Sequence, residues 1–155
     1  MGEQILGENP VRVLVIEDNP DDCLLLQRQL QKSGMGQQVK FISDGREALD
    51  FLTAPHSRAT VENLIAVLLD LHLPSLSGTE LLRRMRARDD LRATPVIVMT
   101  SSNDPRDLEE CRRLKVLNYV SKPVTFSSFS KAVADVFHLP SFGDGSDSSA
   151  LRSPE

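Results

Sequence analysis

The chain has 155 residues, 40% of them apolar, with 18 basic and 22 acidic side chains and a formal charge of −4. That length and composition suit one globular domain with a real core and exclude a disordered chain. The mild acidity, the lack of Trp and the single Tyr argue against a surface that coats or stacks on nucleic acid.

Val11 to Ile16 is short, β-branched and followed by Glu17-Asp18, which predicts a buried first strand. Asn19-Pro20-Asp21-Asp22 then reads as a helix start, with Asn as N-cap, Pro at the first helical position and acids in the first turn. That helix carries Leu24, Leu25, Leu26 and Leu30, and Gly34 stops it. A second strand spans Val39 to Ile42. Asp44 with Glu47 three residues on opens a second helix through Ala48, Leu49, Phe51 and Leu52. Pro55 to Asn63 reads as a loop. The continuous apolar run Leu64 to Leu69 predicts a third strand covered on both faces, ending at Asp70.

Ser77 with Glu80 caps a third helix carrying Leu81, Leu82 and Met85. Pro95 to Met99 is the fourth strand, and Thr100 ends it. Asp104-Pro105 starts a fourth helix, acidic early and basic late, as the helix dipole favours. Asn118 to Ser121 is a fifth strand, followed by Lys122-Pro123. Thr125 to Phe137 is the fifth helix, with Phe126, Phe129, Val133 and Val136 at helical spacing. Five strand–helix alternations predict a doubly wound α/β domain, a parallel sheet with helices on both faces. Residues 1–9 read as a leader, 10–139 as the domain and 140–155 as a flexible Ser, Gly and Asp rich tail.

The longest apolar run is far shorter than the roughly 20 residues of a membrane span. Glu3 and Glu8, with no positive region ahead of an apolar one, predict no signal peptide. Cys23 and Cys111 cannot by themselves make a disulfide scaffold or a zinc site. The expectation is a reduced, cytoplasmic protein.

In an open parallel sheet, ligands bind beyond the carboxyl ends of the strands, where the strand order reverses. Those ends carry Glu17 and Asp18, then Asp70, then Thr100 and Ser101, then Lys122. Each alone has a plain reading as helix-start charge, turn residue or capping loop. Together they predict one crevice holding three carboxylates, a hydroxyl and an ammonium. Close carboxylates repel and need a cation, and an all-oxygen donor set with room for water suits Mg²⁺ or Mn²⁺. An Asp in such a crevice can act as a nucleophile and form an acyl phosphate. The lysine and metal would neutralise the oxygens of the transferring phosphoryl group.

Four pieces carry a family resemblance: Val13-Leu-Val-Ile-Glu17-Asp18-Asn19, Asp70-Leu-His-Leu-Pro74 with Gly78 beyond it, Pro95-Val-Ile-Val-Met-Thr100, and Tyr119-Val-Ser-Lys122-Pro123. They resemble the receiver domain of two-component response regulators, of the chemotaxis-receiver type. The resemblance implies five parallel strands in the flavodoxin-like order 2-1-3-4-5. It implies that Asp70 is the phosphoacceptor, and that Glu17, Asp18, Asp70 and the backbone carbonyl of His72 hold the metal. Thr100 would be the switch hydroxyl with Ser101 beside it, Tyr119 the switch aromatic and Lys122 the phosphate-pairing cation, with a cis peptide before Pro123. His72 and Ser102 occupy positions that this family associates with phosphoryl lifetime.

The wording Glu-Asp-Asn-Pro-x-Asp and Asp-Gly-x-Glu-Ala-Leu-Asp-Phe-Leu is similar to stand-alone receivers that partner phytochrome-type sensor kinases. The implied function is a single-domain switch without a DNA-binding domain. It would take a phosphoryl group from a sensor histidine kinase onto Asp70 and lose it slowly to water. Beyond this self-modification it would not be an enzyme, and it would signal by protein contacts. The fourth helix, fifth strand and fifth helix would form an output and homodimer face, extended by the apolar residues up to Phe142.

Two other functions use similar parts. A phosphohydrolase of the haloacid dehalogenase type also forms an aspartyl phosphate, but its nucleophile belongs to a DxD motif on an early strand. Here Asp70 is followed two residues on by His72. A flavodoxin-type cofactor module needs a phosphate-cradling loop after the first strand, where Glu17-Asp18 would repel phosphate. Elsewhere, His56 and His138 read as surface residues and Ser33-Gly-Met-Gly36 lacks a dinucleotide loop's spacing. Cys23 and Cys111 read as free, buried thiols on helices covering opposite faces of the sheet. The arginines of Arg83-Arg84-Met85-Arg86 and Arg88 read as a solvated helix face.

Overall fold

The computed structural model of the chain describes residues 10–137. Five strands, β1 (Val13–Ile16), β2 (Val39–Ile42), β3 (Ala66–Leu69), β4 (Val96–Thr100) and β5 (Asn118–Ser121), form one sheet in the order β2-β1-β3-β4-β5. All four pairings are parallel. The principal helices are α1 (Pro20–Lys32), α2 (Gly45–Thr53), α3 (Gly78–Arg86), α4 (Pro105–Arg113) and α5 (Phe126–Phe137). The strand order reverses at the β1–β3 pair, which is the switch point of the doubly wound sheet.

Alternation along each buried strand feeds two cores. Leu14, Ile16, Val67, Leu69, Val96 and Val98 face α2, α3 and α4, where they meet Leu49, Leu81, Met85 and Cys111. Val13, Val15, Leu68, Ile97 and Met99 face α1 and α5, where they meet Leu26, Leu30, Phe129 and Val133. Strands β1, β3 and β4 are buried throughout, so their apolar runs are continuous rather than alternating.

The helix starts follow their caps. Asn19 Oδ1 accepts the backbone N–H groups of Asp21 and Asp22 at 2.8 and 3.1 Å. Asp44, Ser77 and Asp104 cap α2, α3 and α4 in the same way. At the end of α1, Met35 N–H returns to the Leu30 carbonyl at 2.8 Å, and Gly34 takes the left-handed φ of 82° that this closure requires. Gly78 opens α3 against the chain leaving β3. A Cβ there would lie 2.2 Å from the Asp70 carbonyl oxygen, so only glycine lets the helix sit this close to the site.

Several expectations need correction. The segment read as a loop from Pro55 to Asn63 contains a 3₁₀ turn, Pro55–Ser57, and a short helix, Arg58–Glu62. Burial of Ser57, and of Val61 within the main core, stabilises a turn that local sequence leaves open. Cys23 is only half-buried, whereas Cys111 is fully buried; both thiols are free. Cys23 sits one turn from the exposed start of α1, and its Sγ donates to the Glu17 carbonyl at 3.4 Å.

Arg86 does not belong to a solvated face. Its guanidinium donates to the carbonyls of Leu114 at 2.8 Å, Thr94 at 2.9 Å and Arg92 at 3.1 Å, with longer contacts to Leu91 and Lys115. The leader, the tail, His138, Leu139, Pro140 and Phe142 lie outside the described residues.

Candidate functional site

Beyond the carboxyl ends of β1, β3 and β5 the chain opens a cleft of about 700 Å³. Glu17, Asp18, Asp70, His72, Ser101, Lys122 and Pro123 line it, together with Asn19, Pro20 and Asp22 from the start of α1. The register explains the convergence. Ile16 pairs with Leu69, so the residues that follow them, Glu17 and Asp70, leave adjacent strands at one level. Leu69 pairs with Val98, which brings the end of β4 alongside. The Lys122–Pro123 peptide is cis, as the family resemblance implied.

Lys122 is the electrostatic centre of the cleft. Its Nζ donates to Asp22 Oδ2 at 2.7 Å, Glu17 Oε1 at 2.8 Å and Asp70 Oδ2 at 3.2 Å. Burial alone would lower the ammonium's pKa, but the hydrogen bonds to Asp22 and Glu17 and the charge of Asp70 outweigh it and raise it. Glu17 shows the opposite balance. Its burial, with the nearby charge of Asp70, outweighs the hydrogen bonds from Lys122 and Asn19 N–H and pushes the carboxyl up to about 7. Glu17 is almost fully enclosed, Asp70 nearly so, and Asp18 is exposed.

Glu17, Asp18 and Asp70 each present an oxygen within 4.8 Å of the others. Three carboxylates this close, two of them buried, form a donor set that fits a hard divalent cation such as Mg²⁺ or Mn²⁺. The second Asp70 oxygen accepts the His72 backbone N–H at 3.3 Å, which orients the carboxylate.

Behind the cleft lies a short relay on the β4–α4 loop. Thr100 is fully buried, and its Oγ1 accepts the Ser102 N–H at 3.3 Å. The Ser102 carbonyl accepts the Tyr119 hydroxyl at 3.2 Å, and the Ser102 hydroxyl donates to Asp107. Thr100 and Tyr119, on neighbouring strands, are therefore linked through one loop residue. Ser101 points outward into the cleft, while Ser102 is buried.

Asp22 is a charged cleft residue that sequence reasoning did not assign to the site. It reads as an acid serving the helix dipole, and its partner Lys122 lies 100 positions away in sequence. The Asp at the end of Glu-Asp-Asn-Pro-x-Asp was the available signal.

Comparison with known proteins agrees with this geometry. Residues 13–134 match the family described as the response regulator receiver domain. The chain is 32% identical over 135 residues to the “Probable methanogenesis regulatory protein FilR2” of Methanothrix harundinacea, covering 87% of this chain and 86% of that protein. It is 30% identical over 129 residues to Response regulator Rcp1 of Synechocystis sp., covering 83% and 88%.

Among solved structures, the Mn²⁺-bound form of Rcp1 superposes with a TM-score of 0.70 at 27% identity, covering 85% of this chain and 100% of that one. The bacteriophytochrome response regulator RtBRR superposes with a TM-score of 0.72 at 35% identity, covering 88% and 83%. With its sheet order, acidic cleft and this match over most of its length, the chain belongs to the response regulator receiver domain family.

Proposed function

We propose that this protein is a phosphorylation switch in which Asp70 takes a phosphoryl group from a histidine kinase. The observation that carries the reading is Lys122 bonded to both Asp70 and Glu17 where Asp18 completes a three-carboxylate group. Glu17, Asp18, Asp70 and the His72 carbonyl hold Mg²⁺ or Mn²⁺. Rcp1, whose Mn²⁺-bound form is among the similar structures, supports that assignment. A cation held there would screen the carboxylates and the oxygens of an incoming phosphoryl group.

An Asp70 carboxylate oxygen attacks phosphorus. An O–P bond forms as the P–N bond of the phosphohistidine breaks, and the electron pair of that bond returns to the imidazole. Lys122 donates to a phosphoryl oxygen and offsets its charge. Water later attacks phosphorus, releases inorganic phosphate and restores the carboxylate. His72, at the cleft, and Ser102, behind it, tune the lifetime of the phosphoryl group.

The phosphoryl group gives Thr100 a new acceptor, and its hydroxyl turns toward Asp70. This weakens the Ser102 arrangement that holds the Tyr119 hydroxyl, so two packings of the β4–α4 loop exchange populations. The α4–β5–α5 face reads out the change and forms a homodimer. Leu108 and Leu117, 43% and 40% exposed on this side of the domain, support that use.

A phytochrome-type sensor kinase is the proposed donor, supported by the likeness to RtBRR. Among the described residues no helix is long and apolar enough to cross a membrane. The cytoplasm is the proposed location, where such a kinase domain presents its phosphohistidine.

Intact-mass analysis after acetyl phosphate and Mg²⁺ tests the central step. One phosphoryl group is expected on the wild type and none on Asp70→Asn. Equal labelling of Asp70→Asn, or full labelling without a divalent cation, would overturn it. Sedimentation of the full chain against Tyr119→Ala and a chain ending at Phe137 tests the dimer; a wild type that stays monomeric with and without phosphate excludes it.

A further inference from the structure

An ammonium has three N–H bonds to donate, and three carboxylates take those of Lys122. The shortest, 2.7 Å, goes to Asp22, which is not one of the three clustered carboxylates Glu17, Asp18 and Asp70. Asp22 is the third residue of α1, where an acid commonly reaches back to the N-cap backbone N–H. Here Glu17 Oε2 already takes the Asn19 N–H at 3.1 Å. Asn19 Oδ1 in turn holds the backbone N–H of Asp22 at 3.1 Å. The cap fixes the Asp22 backbone and leaves its carboxylate to Lys122. The Asp22 side chain keeps 28% exposure, against 2% for Glu17 and 7% for Asp70. Of the three partners it is the one water can replace most readily.

We infer that Asp22 is a positioning residue that holds Lys122 on the α1 side of the cleft and slows its turn toward an incoming phosphoryl group. The inference rests on the reading of Asp70 as phosphoacceptor. A phosphoryl group on Asp70 brings oxygens that need donors, while every donor of Lys122 is occupied. Glu17 is the most enclosed of the three partners and would hold the metal, and Asp70 itself carries the phosphoryl group beside Lys122. The hydrogen bond that yields is the one to Asp22, whose carboxylate then turns to water. Asp22 thus competes with the phosphoryl group for one ammonium. It also adds negative charge to a cleft that has to receive more.

The test measures the rate of phosphorylation by acetyl phosphate with Mg²⁺, followed by intact mass. The chains compared are wild type, Asp22→Asn, Asp22→Ser, Asp21→Asn, Lys122→Gln and the Asp22→Asn/Lys122→Gln pair. Asp22→Asn and Asp22→Ser are expected to label roughly three- to tenfold faster than wild type, as freeing one charge-assisted hydrogen bond implies. Asp21→Asn removes the same charge from the exposed neighbouring position and should stay within about twofold of wild type. In the Lys122→Gln background the Asp22 substitution should bring no gain, because it acts through Lys122.

Folded Asp22 variants that label at the wild-type rate or slower would overturn the inference. So would an equal gain from Asp21→Asn, or a gain that persists without Lys122. A wild type that is not labelled at Asp70 removes the phosphoacceptor reading and this inference with it. A labelled wild type with unresponsive Asp22 variants removes this inference alone.

Discussion

Lys122 and Arg86 are both half-buried cations, and they are held in contrasting ways. Lys122 meets three carboxylates at the carboxyl end of the sheet, and its pKa is raised on balance. Arg86 meets backbone carbonyls of Leu114, Thr94 and Arg92, and burial lowers its pKa. Carbonyl partners are fixed by the main chain and are not exchanged, so Arg86 acts as a clamp between the loop before β4 and the corner after α4. Carboxylate partners can be screened by a metal, protonated or released to water, so Lys122 can change partners. The difference teaches that what a buried cation is bonded to separates a structural role from a functional one.

The comparison breaks most visibly at Arg86. Arg86→Ala leaves several carbonyls without a donor and should lower unfolding stability by about 2–4 kcal/mol in urea titration. Arg86→Lys should recover only part, because an ammonium cannot reproduce the planar fork. Phosphorylation of the folded fraction should remain near wild type. A silent Arg86→Ala would end its reading as a clamp.

Lys122→Ala should show the reverse pattern. In Mg²⁺ its melting temperature should move by less than about 5 °C, because an ammonium at a cleft adds little packing and a divalent cation would offset the carboxylate charge in its place. Its labelling by acetyl phosphate, or the partner response that follows, should fall by roughly tenfold or more, since one positive charge aimed at the phosphoryl oxygens is lost. A variant that unfolds, or one that labels and signals normally, would make Lys122 and Arg86 alike.

The smallest effect concerns Cys111, an uncharged buried group on the core side of α4. Burial pushes its thiol up to about 11, with smaller contributions from Asp107 and Glu110. A raised thiol pKa means the unfolded chain loses its proton first as pH rises. Stability should therefore be unaffected by this group below about pH 8.5 and fall above it, by about 1–2 kcal/mol at pH 10. Replacing Cys111 by Ala should flatten that slope in the pH dependence of urea unfolding. An unchanged slope would show that another group carries it.

Which parts were legible in advance follows from what each depends on. The strands β1, β3 and β4 show in the sequence because burial on both faces demands unbroken apolar runs. Caps at Asn19, Asp44, Ser77 and Asp104 show because they act within three residues. The residues Glu17, Asp18, Asp70, Thr100 and Lys122 could be grouped because each follows a strand, and a parallel sheet aligns its carboxyl ends. The helical turn Arg58–Glu62 could not be read, since its support is contact of Val61 with the main core. Arg86 looked solvated because its acceptors are main-chain carbonyls, which leave no mark on residue type.

The amino-acid order by itself thus determined the alternation of elements, the doubly wound class and the set of side chains gathered at one end of the sheet. Those features depend on local spacing and on burial of each element's apolar face. Only the tertiary structure decided how the charges are shared: Lys122 reaching Asp22 across 100 positions, Glu17 driven up to about 7 by burial, and Thr100 linked to Tyr119 through Ser102. Such terms depend on distance and on exclusion of water. Both are set by how distant segments pack, and neither can be read from spacing along the chain.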